Sequence, residues 1–212
     1  MASAFIRSTV DLEGVVQGVG FRPAIYRLAA GAGLGGWIRN ESGRVRLVLE
    51  GPEEQIDQFL RQLPDRLPPQ ARLRGVVPVM REAVGFDAHS VFRIDESRDG
   101  GPRRVVIPAD LTACSKCMAE ILDPANRRYG YPFTTCTECG PRYTVVNRMP
   151  YDRANTTMSV FPLCEDCRKE YEDPNDRRFH AESIACPKCG PKLWLLNSAG
   201  KRIDGDPLRV AR

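Results

Sequence analysis

A chain of 212 residues with 42% hydrophobic content has material for one large domain or two small ones with packed cores. Its net charge is only +4, and its 26 arginines and five lysines are scattered, which speaks against nucleic acid as a partner. No apolar run is long enough to span a membrane, and the opening MASAFIRSTV lacks the features of a secretion signal, so a cytoplasmic location without membrane contact is expected.

Residues 1–95 contain no cysteine and read as alternating elements. AFIRSTVDLEG alternates like a strand, with Ile6, Ser8, Val10 and Leu12 on one side. After a glycine-rich turn, PAIYRLAAGAG predicts a helix: Pro23 suits a first turn, and Ile25, Leu28 and Ala29 share a face. LGGWIRN and RVRLVLEG predict two strands joined by the turn ESG. PEEQIDQFLRQLP predicts a second helix with a stripe of Ile56, Phe59, Leu60 and Leu63. RLRGVVPVMREA and SVFRIDE complete the order β-α-β-β-α-β, which predicts an α+β, ferredoxin-like split βαβ sandwich. His89, in DAHSVFRI, reads as a surface-turn residue.

Residues 96–107, with a Gly-Gly-Pro break, read as a linker, and the chain then repeats itself. Cys114, Cys117, Cys136 and Cys139 recur 50 positions later as Cys164, Cys167, Cys186 and Cys189. DPANRRYGYPFTTCTECGP aligns with DPNDRRFHAESIACPKCGP, a fixed-period duplication that places one repeat at 108–150 and another at 151–197. Each reads C-x2-C-x18-C-x2-C. Two short knuckles delivering four thiolates suit one tetrahedral Zn2+ per repeat, and a shell of four thiolates leaves no position for water, so both sites are expected to be structural. A dithiol redox centre is the competing reading, and duplicated spacing favours metal. A crossed arrangement, in which the outer pairs share one ion, stays open. Gly140 and Gly190 allow tight turns at sulfur, and His180, standing where the first repeat has Gly130, is a core or surface residue before it is a ligand. KLWLLNSAGKRIDGDPLRVAR predicts a strand, a turn and a helix start at DPLRVAR, and residues 198–212 read as a linker or the expected beginning of a further domain.

The stretch GVVQGVGFRP carries the other signal. A glycine turn between a strand and a helix N-terminus turns backbone N–H groups onto one concave side and forms an anion cradle. Arg22 adds a fork suited to phosphate oxygens. Asn40 closes the next strand. In a sandwich where that strand lies beside the first, its amide can reach the cradle and orient a water. Alternatively the turn is an ordinary connection, Arg22 a surface residue and Asn40 a turn residue.

GVVQGVGFR followed by GWIRN closely resembles the two signatures of the acylphosphatases over roughly residues 4–95. The resemblance implies a hydrolase of carboxyl–phosphate anhydrides with Arg22 and Asn40 as catalytic residues. It also implies a phosphate loop of Gln17, Gly18, Val19, Gly20, Phe21 and Arg22. An acidic residue often found in the turn after the asparagine is Ser42 here. Together with YPFTTCTECGPRYT and DRRFHAESIACPKCGP, the chain resembles the N-terminal part of the HypF family, carbamoyltransferases of nickel–iron hydrogenase maturation. By that likeness carbamoyl phosphate is cleaved, and carbamate is activated with ATP in domains expected after this chain, the first of them YrdC-like. The carbamoyl group then passes to a partner maturation protein's C-terminal cysteine and becomes cyanide on the hydrogenase iron. Small acyl phosphates in general are expected substrates. The alternative is a non-catalytic zinc-finger module that binds protein or nucleic acid through Arg127, Arg128, Tyr129 and Tyr131.

Overall fold

The structure, a computed structural model, describes residues 4–41, 43–85, 91–98, 109–205 and 207. Ser42, His89 and, apart from single positions, the helix start expected in DPLRVAR lie outside the described residues, as does most of the expected linker.

The first half forms β1 (Phe5–Val15), α1 (Phe21–Gly31), β2 (Gly35–Glu41), β3 (Arg44–Pro52), α2 (Glu53–Gln62), β4 (Arg72–Ala83) and β5 (Arg93–Ile94). β1 is long because its alternation suits a half-buried strand: Ile6, Val10 and Leu12 enter the core. Ile25 and Ala29 of α1, Ile38 of β2, Val45, Leu47 and Leu49 of β3, and Ile56 and Phe59 of α2 complete one cluster. Asp11 and Glu50 of β1 and β3 are also buried, and they are satisfied by Arg46, at 2.8 Å from Asp11, and Arg7, at 2.8 Å from Glu50.

The sheet order is β4-β1-β3-β2-β5. The expectation that β2 lies beside β1 therefore fails: β3 stands between them, antiparallel to both. The cause is the short β2–β3 connection, which holds Glu41 opposite Arg44 and leaves β3 to fill the gap that the β1-α1-β2 crossover leaves open. Helix α1 begins two residues before the expected Pro23, at Phe21, because Gly20 takes the left-handed conformation (φ 69°) and starts the turn.

In the second half, α3 (Ser115–Leu122) and α4 (Glu165–Glu172) begin just after the first cysteine of each repeat. Asp123 accepts from the Ala125 N–H and Asp173 from the Asn175 N–H, each at 2.9 Å, so the duplication extends to identical turns. Two clusters here are built around the cysteines: Cys167 and Cys186 with Ala181 and Ile184 in the second repeat, and Cys117, Cys136 and Cys139 in the first. A hairpin of β6 (Leu195–Leu196) and β7 (Arg202–Ile203) follows.

Candidate active site and metal centres

Each set of four cysteines gathers within its own repeat, with sulfurs within 4.8 Å of one another. The crossed arrangement is not what forms. Adjacent sulfurs lie 3.7 Å (Cys114–Cys136), 3.8 Å (Cys136–Cys139) and 3.6 Å (Cys139–Cys117) apart in the first set. The second set gives 3.7, 3.7 and 3.6 Å. Zinc–thiolate bonds of about 2.3 Å in a tetrahedron put sulfurs ~3.8 Å apart, whereas a disulfide needs about 2.05 Å. The distances exclude a formed disulfide, and the gathering of four sulfurs rather than two in each set fits a tetrahedral thiophilic ion better than a dithiol redox pair. His180 belongs to neither set.

The two glycines after the knuckles serve differently. Gly140 is left-handed (φ 73°), whereas Gly190 is required by close approach, since a Cβ there would sit 2.2 Å from the Tyr131 hydroxyl. Arg127 and Arg128 make no open cationic face: both pair with Glu170, and Arg128 is only 2% exposed. The basic-aromatic surface that a nucleic-acid reading requires is therefore not formed by these arginines.

In the glycine turn, Gly18 and Gly20 are both left-handed (φ 74° and 69°), while Val19 and Phe21 are anchored in the core. The turn feeds directly into the α1 N-terminus, whose first N–H groups have no partner within the helix. The Gln17 side chain is a staple, donating to the Glu41 and Arg44 carbonyls at 3.2 and 3.3 Å and accepting from the Tyr151 N–H at 3.2 Å. Its backbone is what remains for a cradle.

The two-residue period places Asn40 on the same face of β2 as core residue Ile38, at the strand's end. It is 1% exposed, and neither its amide nitrogen nor its amide oxygen has a partner among the described residues. Its backbone carbonyl accepts from the Arg98 N–H at 3.0 Å, while Arg22 Nη1 reaches Ser97 Oγ at 3.4 Å. The two residues thus meet the same short segment, although β3 keeps β2 away from β1.

The second half covers this site, which sequence reasoning did not anticipate. A Cβ on Gly18 would sit 2.6 Å from Pro141, and one on Gly20 would sit 3.1 Å from Thr137. Arg22 Nη2 donates to Asp152 Oδ1 at 2.7 Å, to Glu182 Oε1 at 2.9 Å and to the Tyr151 carbonyl at 3.4 Å. A cavity of about 30 Å³ remains over the turn, lined among others by Gly18, Gly20, Arg22, Thr137, His180 and Glu182. Next to it lies a hollow of about 570 Å³ that shares Arg22, His180 and Glu182 and adds Ser97, Asp152 and Tyr171. Burial works to lower the Arg22 pKa, but the charges of Asp152 and Glu182 outweigh it and raise it. Burial pushes the Glu182 carboxyl up against the opposing pull of Arg22. Burial and the Arg22 charge lower His180 to about 4, so its ring is neutral at pH 7.

Asp152 and Glu182 carry no sequence motif. The available signal was negative: the repeats diverge at Gly130/His180 and Pro132/Glu182, the positions that face Arg22 in the second copy.

Two family profiles match. One described as acylphosphatase covers residues 9–85, and one described as HypF finger covers 113–146 and 163–196. The chain is 45% identical over 157 residues to carbamoyltransferase HypF2 of Cupriavidus necator, covering 74% of this chain and 19% of that protein. It is 42% identical to an acylphosphatase of Syntrophotalea carbinolica over 37% of this chain and 85% of that one. A crystal structure of full-length HypF in the phosphate- and nucleotide-bound form superposes with a TM-score of 0.86 at 35% identity, over 100% of this chain and 27% of that one. The chain thus spans about a fifth of the length of the curated carbamoyltransferases it matches.

Proposed function

This chain belongs to the HypF family, and from that premise we propose that residues 1–95 hydrolyse acyl phosphates, carbamoyl phosphate foremost, while residues 108–197 fold around two structural zinc ions. The observation that carries the hydrolase reading is Asn40: a fully buried amide with no partner on either end among the described residues, at a strand end beside the segment that Arg22 touches. A buried amide left unsatisfied costs about 1–3 kcal/mol. Such a cost is typical of a group kept for a ligand or a water.

The chemistry asks little of the protein. N–H groups of residues 17–22 and the Arg22 guanidinium hold the phosphoryl oxygens. The Asn40 side chain holds a water in line with phosphorus. The water oxygen attacks phosphorus, and the bond between phosphorus and the bridging oxygen breaks with its electron pair going to that oxygen. Carbamate leaves as the anion, and both of the water's protons stay with the phosphate, which departs as dihydrogen phosphate. The leaving group is a carboxylate, so no side chain need protonate it, and positioning and electrostatics carry the rate. The zinc ions, each in a closed shell of four thiolates, take no part in this step and hold the second half in shape over the site.

In the cytoplasm the carbamate would serve ATP-dependent carbamoyl transfer to the cysteine of a partner maturation protein, in parts of the protein beyond this chain. Phosphate release from carbamoyl phosphate and from acetyl phosphate by the chain tests the hydrolase. Turnover of both supports it, and release no faster than in buffer rejects it.

A further inference from the structure

Arg22 sits between the two halves of the molecule. It starts in the first turn of α1, and its Nη2 is met by three acceptors of the second half: Asp152, Glu182 and the Tyr151 carbonyl. Glu182 is itself fixed. Its Oε2 accepts from the Tyr171 hydroxyl and the Arg153 N–H, both at 2.9 Å, which leaves Oε1 for Arg22. The loop carrying it is closed by Cys167 on one side and Cys186 on the other, both in the second metal set. The duplication departs from its pattern here. Fifty residues earlier, Glu182 is Pro132, Tyr171 is Ile121 and His180 is Gly130, so the first copy cannot form this arrangement.

Resting on the hydrolase reading above, we propose that Asp152 and Glu182 are positioning residues of the acyl phosphate site. They fix the Arg22 guanidinium and partly neutralise it, so that it aims at the phosphoryl group without holding the phosphate product tightly. Two effects follow from the same geometry. A guanidinium with three anchors on one nitrogen keeps a single orientation, and misplacement of a catalytic group by 1 Å can cost on the order of a hundredfold in rate. A carboxylate close to a bound dianion repels it, and repulsion of about 1.4 kcal/mol corresponds to tenfold in affinity. The acylphosphatase half is in this sense completed by the finger half, and the second metal set supports the loop that completes it.

Glu182→Gln tests this in the full chain, because glutamine keeps the shape and loses the charge. Turnover of carbamoyl phosphate should fall about tenfold, while inorganic phosphate, measured by calorimetry, should bind about three- to tenfold more tightly. Asp152→Asn should tighten phosphate in the same direction. A partly unfolded population would lower turnover without changing phosphate affinity. Lower turnover with unchanged affinity in both variants therefore overturns the proposal, as do two variants indistinguishable from the parent. If the parent itself turns over no acyl phosphate, the hydrolase reading fails. The positioning claim is still decided separately by whether phosphate affinity rises.

Discussion

Arg127 donates from both terminal nitrogens to the Cys167 sulfur, at 3.4 and 3.5 Å, across the boundary between the two repeats. Fifty residues on, Arg177 does the same to Cys117, at 3.2 and 3.3 Å. The correspondence extends outward: Arg128 Nε donates to the Ala185 carbonyl and Arg178 Nε to that of Thr135, both at 3.0 Å. Glu170 receives the first arginine pair and Glu120 the second. Each repeat thus folds its own metal set and lends its arginines to the other. Four thiolates around Zn2+ leave a net charge of −2, and buried charge is tolerated when paired.

That exchange predicts a crossed effect on metal retention. Arg127→Ala should weaken the second cluster and leave the first near the parent's value, and Arg177→Ala should do the reverse. Loss of an outer-shell donor costs about 10–100-fold in metal affinity. Cadmium-loaded protein gives one resonance per cluster by 113Cd NMR, and stepwise chelator addition shows which is lost first. Loss from the cluster of the mutated residue's own repeat would contradict the reciprocal arrangement.

Arg22 is 9% exposed and ion-paired twice. Removal by alanine leaves two carboxylates facing each other without a cation, a change that costs about 3–5 kcal/mol where a buried pair is broken. Arg22→Ala should therefore lose both activity and several degrees of thermal stability. Arg22→Lys keeps the charge and loses the fork. It should retain most of the melting temperature and lose about a hundredfold or more in phosphate release. Full activity in the lysine variant would show that the guanidinium geometry does not matter.

Asn40 predicts the opposite balance. Its amide atoms have no partner among the described residues, so Asn40→Ala removes an unsatisfied group and should leave the melting temperature close to the parent's. Turnover should fall by about a hundredfold, comparable to the loss of one oriented hydrogen-bonding group at a reacting centre. Phosphate affinity, held by the cradle and Arg22, should change little. A variant that binds phosphate much more weakly but turns over normally at saturation would assign Asn40 to binding instead of to the water.

Most of the fold was legible because its signals are local. The alternation of β1, the stripe of Ile56, Phe59 and Leu63, and the doubled knuckles each depend on near neighbours in sequence. Gly18 and Gly20 announced the turn because only glycine takes two left-handed positions so cheaply. Strand order was misjudged because pairing of β3 with β1 is set by which edge the β2–β3 hairpin fills, and residue period does not encode that. Asp152 and Glu182 were missed for a related reason. Their role is defined by a partner at positions 130 and 160 residues away, in the other half of the chain. The pairing of Arg127 with Cys167 is likewise a contact between repeats that either repeat alone cannot show.

His180 provides a pH test of the covered site. It is the one non-glycine residue with positive φ (52°) among those described, at the position of left-handed Gly130 (φ 66°) in the first repeat. A side chain there costs about 1–3 kcal/mol. Its ring packs against Phe179 and Tyr171, with centroids 4.6 and 5.0 Å away. Burial and nearby Arg22 hold its pKa at about 4, below the ordinary 6.5. Between those values the unfolded chain binds a proton that the folded chain refuses. This contribution to stability is therefore fully present above pH 6.5 and is lost as pH falls towards 4. The loss is at most about 1.4 kcal/mol per pH unit, or about 3–6 °C in a chain of this size. His180→Asn accepts the left-handed backbone and cannot titrate. With zinc in excess, its melting temperature should fall less steeply than the parent's between about pH 6.5 and 5, even where its absolute value is lower for want of the ring. Parallel slopes in the two proteins would mean that His180 titrates alike folded and unfolded, and that the space beside Arg22 is open to water.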